Sequence, residues 1–316
     1  MNKLNAPHHH IETHHAKERF LLKLFDTFWV RYRERMESVQ KYETLIASNR
    51  ASFFNDHIAF RTLAAQNPSL GIFALSRIFE ALGYTPIECY LFPDKHLSSI
   101  YYQHPHFQFP KLFITQLQTW ELSKASQEIV ERVIQSHRPV LTQNFLNQLY
   151  HMDSVSDSDQ EKILAELNAY FAHLPWDVPQ KNDVIQLDKE SQYGAWVLVN
   201  GYNVNHFTAL VNSHGVENLN DIEKTIQEMK KAGIPMKKEI EGALGSKLRQ
   251  SSTEAAVLKV SMKEGSSMVL VPWTYAYFEI IERPITKNSV TGKNERFEGF
   301  LGAQATNLFE MTKNTK

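Results

Sequence analysis

Apolar residues recur at helical spacing over 17–46, where Phe20, Leu21, Leu24, Phe25, Phe28, Trp29 and Tyr32 predict an N-terminal helix packed on a core. The period then changes. In FFNDHIAFRTL, residues 53–63, alternation puts His57, Ala59 and Arg61 on one face and Ile58 and Phe60 on the other, as a strand does. A helical run over 70–82 follows, opened by Pro68 at an N1-like position and closed by Gly83. Three strand-like runs complete the unit, near 84–92, 97–103 and 111–117. The order is strand, helix, strand, strand, strand.

Residues 120–174 read as helical, with Ile129, Val133, Ile134, Phe145, Leu149, Ile163, Leu167 and Phe171 as apolar positions. A Ser/Asp-rich stretch at 153–159 breaks the run, and Pro175 and Pro179 close it. The first pattern then returns. WVLVNGYNVNHFTALV, residues 196–211, reads as a strand interrupted by Gly201. Asn220 is the expected N-cap of a helix over 222–232, ended by Gly233 and Pro235. Strands are expected near 255–262, 267–271 and 273–281, so the order of the first unit recurs without its residue identities.

These patterns predict an α+β chain organised as one compact unit. It comprises a disordered His-rich tail (1–16), an N-terminal helix (17–46), a first βαβββ module (47–119), a helical insertion (120–190), a second βαβββ module (191–284) and a C-terminal extension (285–316). The tail holds His8, His9, His10, His14 and His15 ahead of any periodic pattern, and ordering a terminus costs conformational entropy.

Composition narrows the functional classes. The chain of 316 residues is 42% hydrophobic, enough for a sizeable core, and 34 Lys and Arg against 35 Asp and Glu leave a net charge of −1. That balance supplies no broad field for a nucleic acid or an anionic membrane. Cys89 is the single cysteine, which rules out an intrachain disulfide and a Cys-based zinc site. No stretch approaches the roughly 18–20 apolar residues of a membrane span, and the first residues carry no secretory apolar run. The expectation is a soluble, cytoplasmic protein, with its oligomeric state left open. No Walker A, GxGxxG or GxSxG run points to a nucleotide or a serine nucleophile.

Three residues carry candidate chemistry. His57 and His206 each sit inside the early strand of a repeat, and Glu279 shares a strand face with Tyr275 and Tyr277. A carboxylate inside YAYFEII is costly to bury unless it is paired or ligates a metal. Two imidazoles and one carboxylate make the facial set suited to divalent iron. Spacing alone is a weak signal and, for any one of the three, favours a core histidine or a salt-bridged strand glutamate over a ligand.

The strand FEIIERP, residues 278–284, resembles the last metal-bearing strand of the vicinal oxygen chelate superfamily. Together with HIAFRT at 57–62, GYNVNHFT at 201–208 and LRQSST at 248–253, it is similar to the DUF1338 family, which includes 2-oxoadipate dioxygenase/decarboxylases of lysine breakdown. The resemblance implies two vicinal-oxygen-chelate-like modules forming a curved sheet or half-barrel, with flanking helices. It implies Fe(2+) held by His57, His206 and Glu279, and conversion of 2-oxoadipate and O2 to 2-hydroxyglutarate and CO2. Arg61 would hold a substrate carboxylate as the catalytic arginine, since a guanidinium fork suits bidentate capture. Gln250 and Ser252, in LRQSST, would line the substrate cavity. The implied partners are a small 2-oxo dicarboxylic acid and O2, with no nucleic acid or membrane.

Other readings of the same residues stay open at this level. Arg61 could be a surface cation and LRQSST a solvated turn. A zinc or nickel isomerase or lyase of the glyoxalase kind would use the same triad without oxygen. A metal-free dicarboxylate-binding protein would neutralise Glu279 with Arg283 or another cation.

Overall fold

A computed structural model of the chain describes residues 7, 8, 10–287 and 292–300. Two helices precede the sheet, α1 (Ala16–Glu34) and α2 (Glu37–Ser48). The single helix expected over 17–46 is broken because Met36 takes an extended backbone and is buried completely, turning the chain back on the core. The first module is strand β1 (Phe54–Ala64), helix α3 (Ile72–Ala81), then β2 (Thr85–Phe92), β3 (Leu97–Gln103) and β4 (Lys111–Gln118). Pro68 lies in the turn ahead of α3, whose N-cap is Gly71.

The insertion holds α4 (Lys124–Ile134), α5 (Gln143–Tyr150), α6 (Asp157–Ala172), α7 (Lys181–Glu190) and α8 (Gln192–Asn200). Helix α8 corrects the strand expected from Trp196. Every residue from Tyr193 to Asn200 is buried, so a helix without a polar face looks like a strand run in sequence. Gly201 ends it at φ 59, where an added Cβ would meet Pro175 Cδ at 3.0 Å, so this glycine stops a helix and does not interrupt a strand.

The second module contains β5 (Val204–Leu210), α9 (Ile222–Lys231), β6 (Arg249–Ser252), β7 (Val257–Glu264), β8 (Ser267–Thr274) and β9 (Glu279–Glu282). The N-cap of α9 is Asp221, whose side chain accepts from the Lys224 amide, and not Asn220. A short ribbon, β10 (Ile285–Lys287) with β11 (Asn294–Arg296), follows.

Seven strands make one curved half-barrel sheet in the order β2-β3-β4-β1-β5-β9-β6. Strands β1 and β5 pair antiparallel at its centre, and each has a parallel neighbour on its outer side, β4 and β9, so the modules mirror one another across the centre. The LRQSST segment supplies β6, while β7 and β8 leave the sheet as a separate ribbon. The expected strand 273–281 is therefore two, joined by a crossing at Tyr275–Phe278. Trp196 Nε1 donates to the Tyr275 carbonyl and the Tyr32 hydroxyl to that of Tyr277, fixing the crossing from α8 and α1.

The apolar face of β1 behaves as its alternation predicts. Phe60 packs with Phe28 of α1, Phe79 of α3 and Phe171 of α6, with ring centroids 5.9, 5.4 and 5.4 Å away. Burying such a ring is worth about 1.5–3 kcal/mol, so this face anchors the helices to the sheet. The polar face of β1 is buried too, and it faces the site.

The amino-terminal expectation is corrected for the described part of 1–16. His8 is fully buried, with Nδ1 3.1 Å from Asp26 and Nε2 3.1 Å from the Asn55 side chain. Ile11 is buried as well. Residues 1–6 and 9, and 288–291 and 301–316 of the expected C-terminal extension, lie outside the described residues.

Candidate metal and substrate site

One register row crosses five strands: Lys111 of β4, His57 of β1, Thr208 of β5, Glu279 of β9 and Ser252 of β6 stand opposite one another in turn. His206 lies two residues before Thr208 and shares its face. Metal-ligating atoms of His57, His206 and Glu279 thus fall within 4.8 Å of one another, all three residues buried. His57 Nε2 is 3.3 Å from Glu279 Oε1, and His206 Nε2 is 3.9 Å from Glu279 Oε2.

Two bulges aim the imidazoles. Pairing between β1 and β5 skips Asp56 on one strand and Asn205 on the other, each the residue directly before a histidine. Asp56 Oδ2 is 2.9 Å from His57 Nδ1, and Asn205 Oδ1 is 3.0 Å from His206 Nδ1. Both partners are acceptors, so each Nδ1 carries the hydrogen and each Nε2 is left for a metal. The two modules solve the same problem in the same way.

The electrostatics differ between the two rings. Burial alone would push the His57 imidazolium down, but Asp56 and Glu279 outweigh it and raise its pKa above the ordinary histidine value. His206 is held well below that value by burial and then by the nearby His57 and Arg61 charges, so it is neutral with a lone pair available. Asp56 sits well below the usual carboxylate range: burial works against its charge, and Arg283 and Lys111 prevail.

The donor set fits a divalent metal. Glu279 is 0% exposed and its Oε2 has no hydrogen-bond partner among the described residues, a costly state for a carboxylate unless a cation completes it. A His–His–carboxylate face suits iron or another borderline divalent ion. Arg283 does not neutralise Glu279. Its fork holds Asp56, with Nε and Nη2 donating at 2.8 and 3.0 Å.

Arg61 is no surface cation. It is 2% exposed, hydrogen-bonds the Tyr277 side chain and lies over the rings of Tyr193 and Trp196, 4.8 and 5.1 Å from their centroids. Tyr277 in turn stacks on His206 at 4.6 Å. Helix α8 thus packs Tyr193 and Trp196 against the arginine, giving the helical insertion a place in the site.

Gln250 and Ser252 are buried in β6, so LRQSST is not a solvated turn. Ser252 faces Glu279 across the pair, and Gln250 donates to Glu241 Oε2 at 2.8 Å. Glu241 was not visible as a candidate: it lies in a loop without periodicity, reached only through the isolated bridge to Gln250. Its carboxyl is pushed up to about 7, first by burial and then by Glu279, with the Gln250 bond acting the other way. Asp56, Asn205, Thr208 and Tyr277 are not marked as site residues by the strand pattern, although an acceptor side chain directly before a histidine, at 56–57 and again at 205–206, is a repeated signal.

Residues 297–300 pack against the His57 side of the site. Phe300 sets its ring edge-on to His57 at 5.0 Å, and Phe297 packs with Leu210, Leu248 and Ile281. Among the described residues no helix is long and apolar enough to cross a membrane.

Comparison with known proteins bears on this geometry. Curated relatives are a chloroplastic 2-oxoadipate dioxygenase/decarboxylase of Arabidopsis thaliana, 28% identical over 81% of this chain and 67% of that protein, and its Oryza sativa subsp. japonica counterpart, 27% identical over 82% and 69%. Among solved structures, a protein assigned to the glyoxalase superfamily from Ralstonia eutropha JMP134 superposes with a TM-score of 0.76 at 21% identity, covering 90% of this chain and 85% of that one. The hydroxyglutarate synthase of Oryza sativa, solved with 2-oxoadipate, gives 0.76 at 24% identity over 95% and 93%, which establishes the shared fold. The profile of the 2-oxoadipate dioxygenase/decarboxylase family matches residues 23–293, and the chain belongs to that family.

Proposed function

We propose that this protein is a non-haem iron dioxygenase that converts 2-oxoadipate and O2 to 2-hydroxyglutarate and CO2, with Fe2+ held by His57, His206 and Glu279. The carrying observation is the buried Glu279 carboxylate, orphaned at Oε2 and met by two Nε2 atoms. A divalent iron bound there would offer open positions for the two oxygens of a 2-oxo acid and for O2.

The chain's own groups then divide the work. Asp56 and Asn205 hold the two imidazoles in the metal-binding tautomer. Arg61 binds the substrate carboxylate remote from the keto group, its fork aimed by Tyr277 and its flanks dried by Tyr193 and Trp196. His57 and Arg61 are four residues apart on one strand face, about 13 Å along an ideal strand, which suits a six-carbon diacid reaching from metal to guanidinium. Ser252 and Gln250 offer short polar groups beside Glu279. Burial of the whole row excludes water from the reacting atoms.

The test is oxygen uptake with added Fe(II) and a panel of 2-oxo acids. One O2 consumed and one CO2 released per 2-oxoadipate is expected, with monocarboxylic 2-oxo acids of similar length much slower. Turnover without oxygen uptake would replace this reading with the isomerase or lyase one, and protein that stays metal-free would return the binding-protein reading.

A further inference from the structure

Arg283 follows β9 and is 1% exposed, yet its guanidinium serves two separate parts of the molecule. On one side Nε and Nη2 grip both oxygens of Asp56, whose Oδ2 also takes the His57 Nδ1 hydrogen at 2.9 Å. On the other side Nη1 donates to the carbonyls of Phe297 and Gly299 at 2.9 and 2.7 Å. Lys111 runs parallel to it, 2.7 Å from Glu298 and 3.9 Å from Asp56. Phe300 then lays its ring 5.0 Å from the Arg283 guanidinium and 5.0 Å from the His57 ring, its backbone clipped at both N and O to the Tyr90 hydroxyl.

Residues 297–300 are thus a strap tied to the cation that holds the His57 orienter. A bidentate pair would satisfy Asp56 by itself. Sharing the guanidinium with two strap carbonyls means that lifting the strap leaves Nη1 unpaired, so the guanidinium turns to find new acceptors and carries the Asp56 carboxylate it grips away from His57.

We propose that Arg283 is a positioning residue that couples docking of the 297–300 strap to the orientation of His57 at the metal. This inference rests on the triad proposed above. The coupling is reciprocal: a docked strap favours the His57 rotamer that ligates, and a bound metal holds the strap down. Asp56 is the transmitting group and Lys111 its second cation.

Cobalt(II), a spectroscopic stand-in for iron, reads this out in the full chain without turnover. The measurements are its dissociation constant, its visible d–d spectrum and the rate of tryptic cleavage after Arg296, which is exposed beside the strap. In the wild-type protein cobalt should slow that cleavage several-fold. Arg283→Gln should weaken cobalt binding by about 10–100-fold, alter the spectrum and make cleavage indifferent to cobalt. Asp56→Asn, which leaves the strap carbonyls with Arg283, should do the same to affinity and coupling, and Arg283→Lys should rescue part of both.

Wild-type cobalt affinity in Arg283→Gln, or wild-type cleavage unaffected by cobalt, would overturn the coupling. If Arg283→Gln does not fold, Arg283→Lys and Asp56→Asn decide by the same criteria. Failure of the triad itself looks different: no stoichiometric cobalt on the wild-type protein, or full occupancy in His57→Ala, and the coupling falls with it.

Discussion

Thr208 donates to Glu279 Oε1 at 3.3 Å, and its hydroxyl lies 3.0 Å from His57 Nε2. It sits between two proposed ligands on the central row of the sheet, touching the same atoms that a metal would take. Thr208→Val keeps the shape and removes that hydroxyl. The metal-free variant should lose about 1–3 kcal/mol, the cost of unpaired buried polar groups. Metal binding should then recover more stability than in the wild-type protein. Thermal unfolding with and without added metal checks this, and an equal metal-induced shift in both proteins would show that the hydroxyl does not matter to the metal-free site.

Glu279→Gln conserves volume and removes the charge that offsets the metal. Activity should fall by orders of magnitude and stoichiometric metal should be lost, with the melting temperature of the metal-free protein lowered by no more than a few degrees. Near-wild-type turnover would make Glu279 a packing residue.

Arg61→Lys keeps a cation and loses both the fork and the stacking on Tyr193 and Trp196. Removing one partner of a desolvated charge pair costs about 2–5 kcal/mol, so kcat/KM for the diacid should drop by at least an order of magnitude while iron content stays unchanged. Metal analysis beside steady-state kinetics separates the cases. Iron lost together with activity would put Arg61 in the support of the metal instead.

Glu241 makes a pH prediction for the metal-free protein. Its folded pKa, about 7, lies above its ordinary value of 4.5, so between those values the folded state holds the extra proton. Stability from this group is therefore complete below pH 4.5 and is lost as pH rises through 7. Glu241→Gln removes that dependence. The variant should match the wild-type protein near pH 4 and exceed it by about 3 kcal/mol at pH 8, the scale of a shift from 4.5 to about 7. Urea unfolding at the two pH values measures it, and a difference that does not grow with pH would assign the raised value to another group.

Much of the site could be read along the chain because strand alternation is local. His57, Ala59 and Arg61 share a face whatever the rest of the protein does, and a glutamate inside an apolar strand such as FEIIE announces a buried partner. The strand-helix-strand order of each module was legible for the same reason. Helix α8 was not, because a segment buried on all sides has no polar face to set its period. Nor was the place of His8, which is decided by Asn55 and Asp26 and not by its neighbours in the tail.

What only the tertiary structure decided are the pairings across long chain separations. Asp56 meets Arg283 at a separation of 227 residues, and the two bulges that aim the imidazoles appear only when β1 and β5 are laid side by side. Sequence period determines which face a side chain takes on its own strand. Which atoms it then meets depends on register between strands, on bulges that shift that register by one residue, and on segments such as α8 and 297–300 that pack against the site from elsewhere.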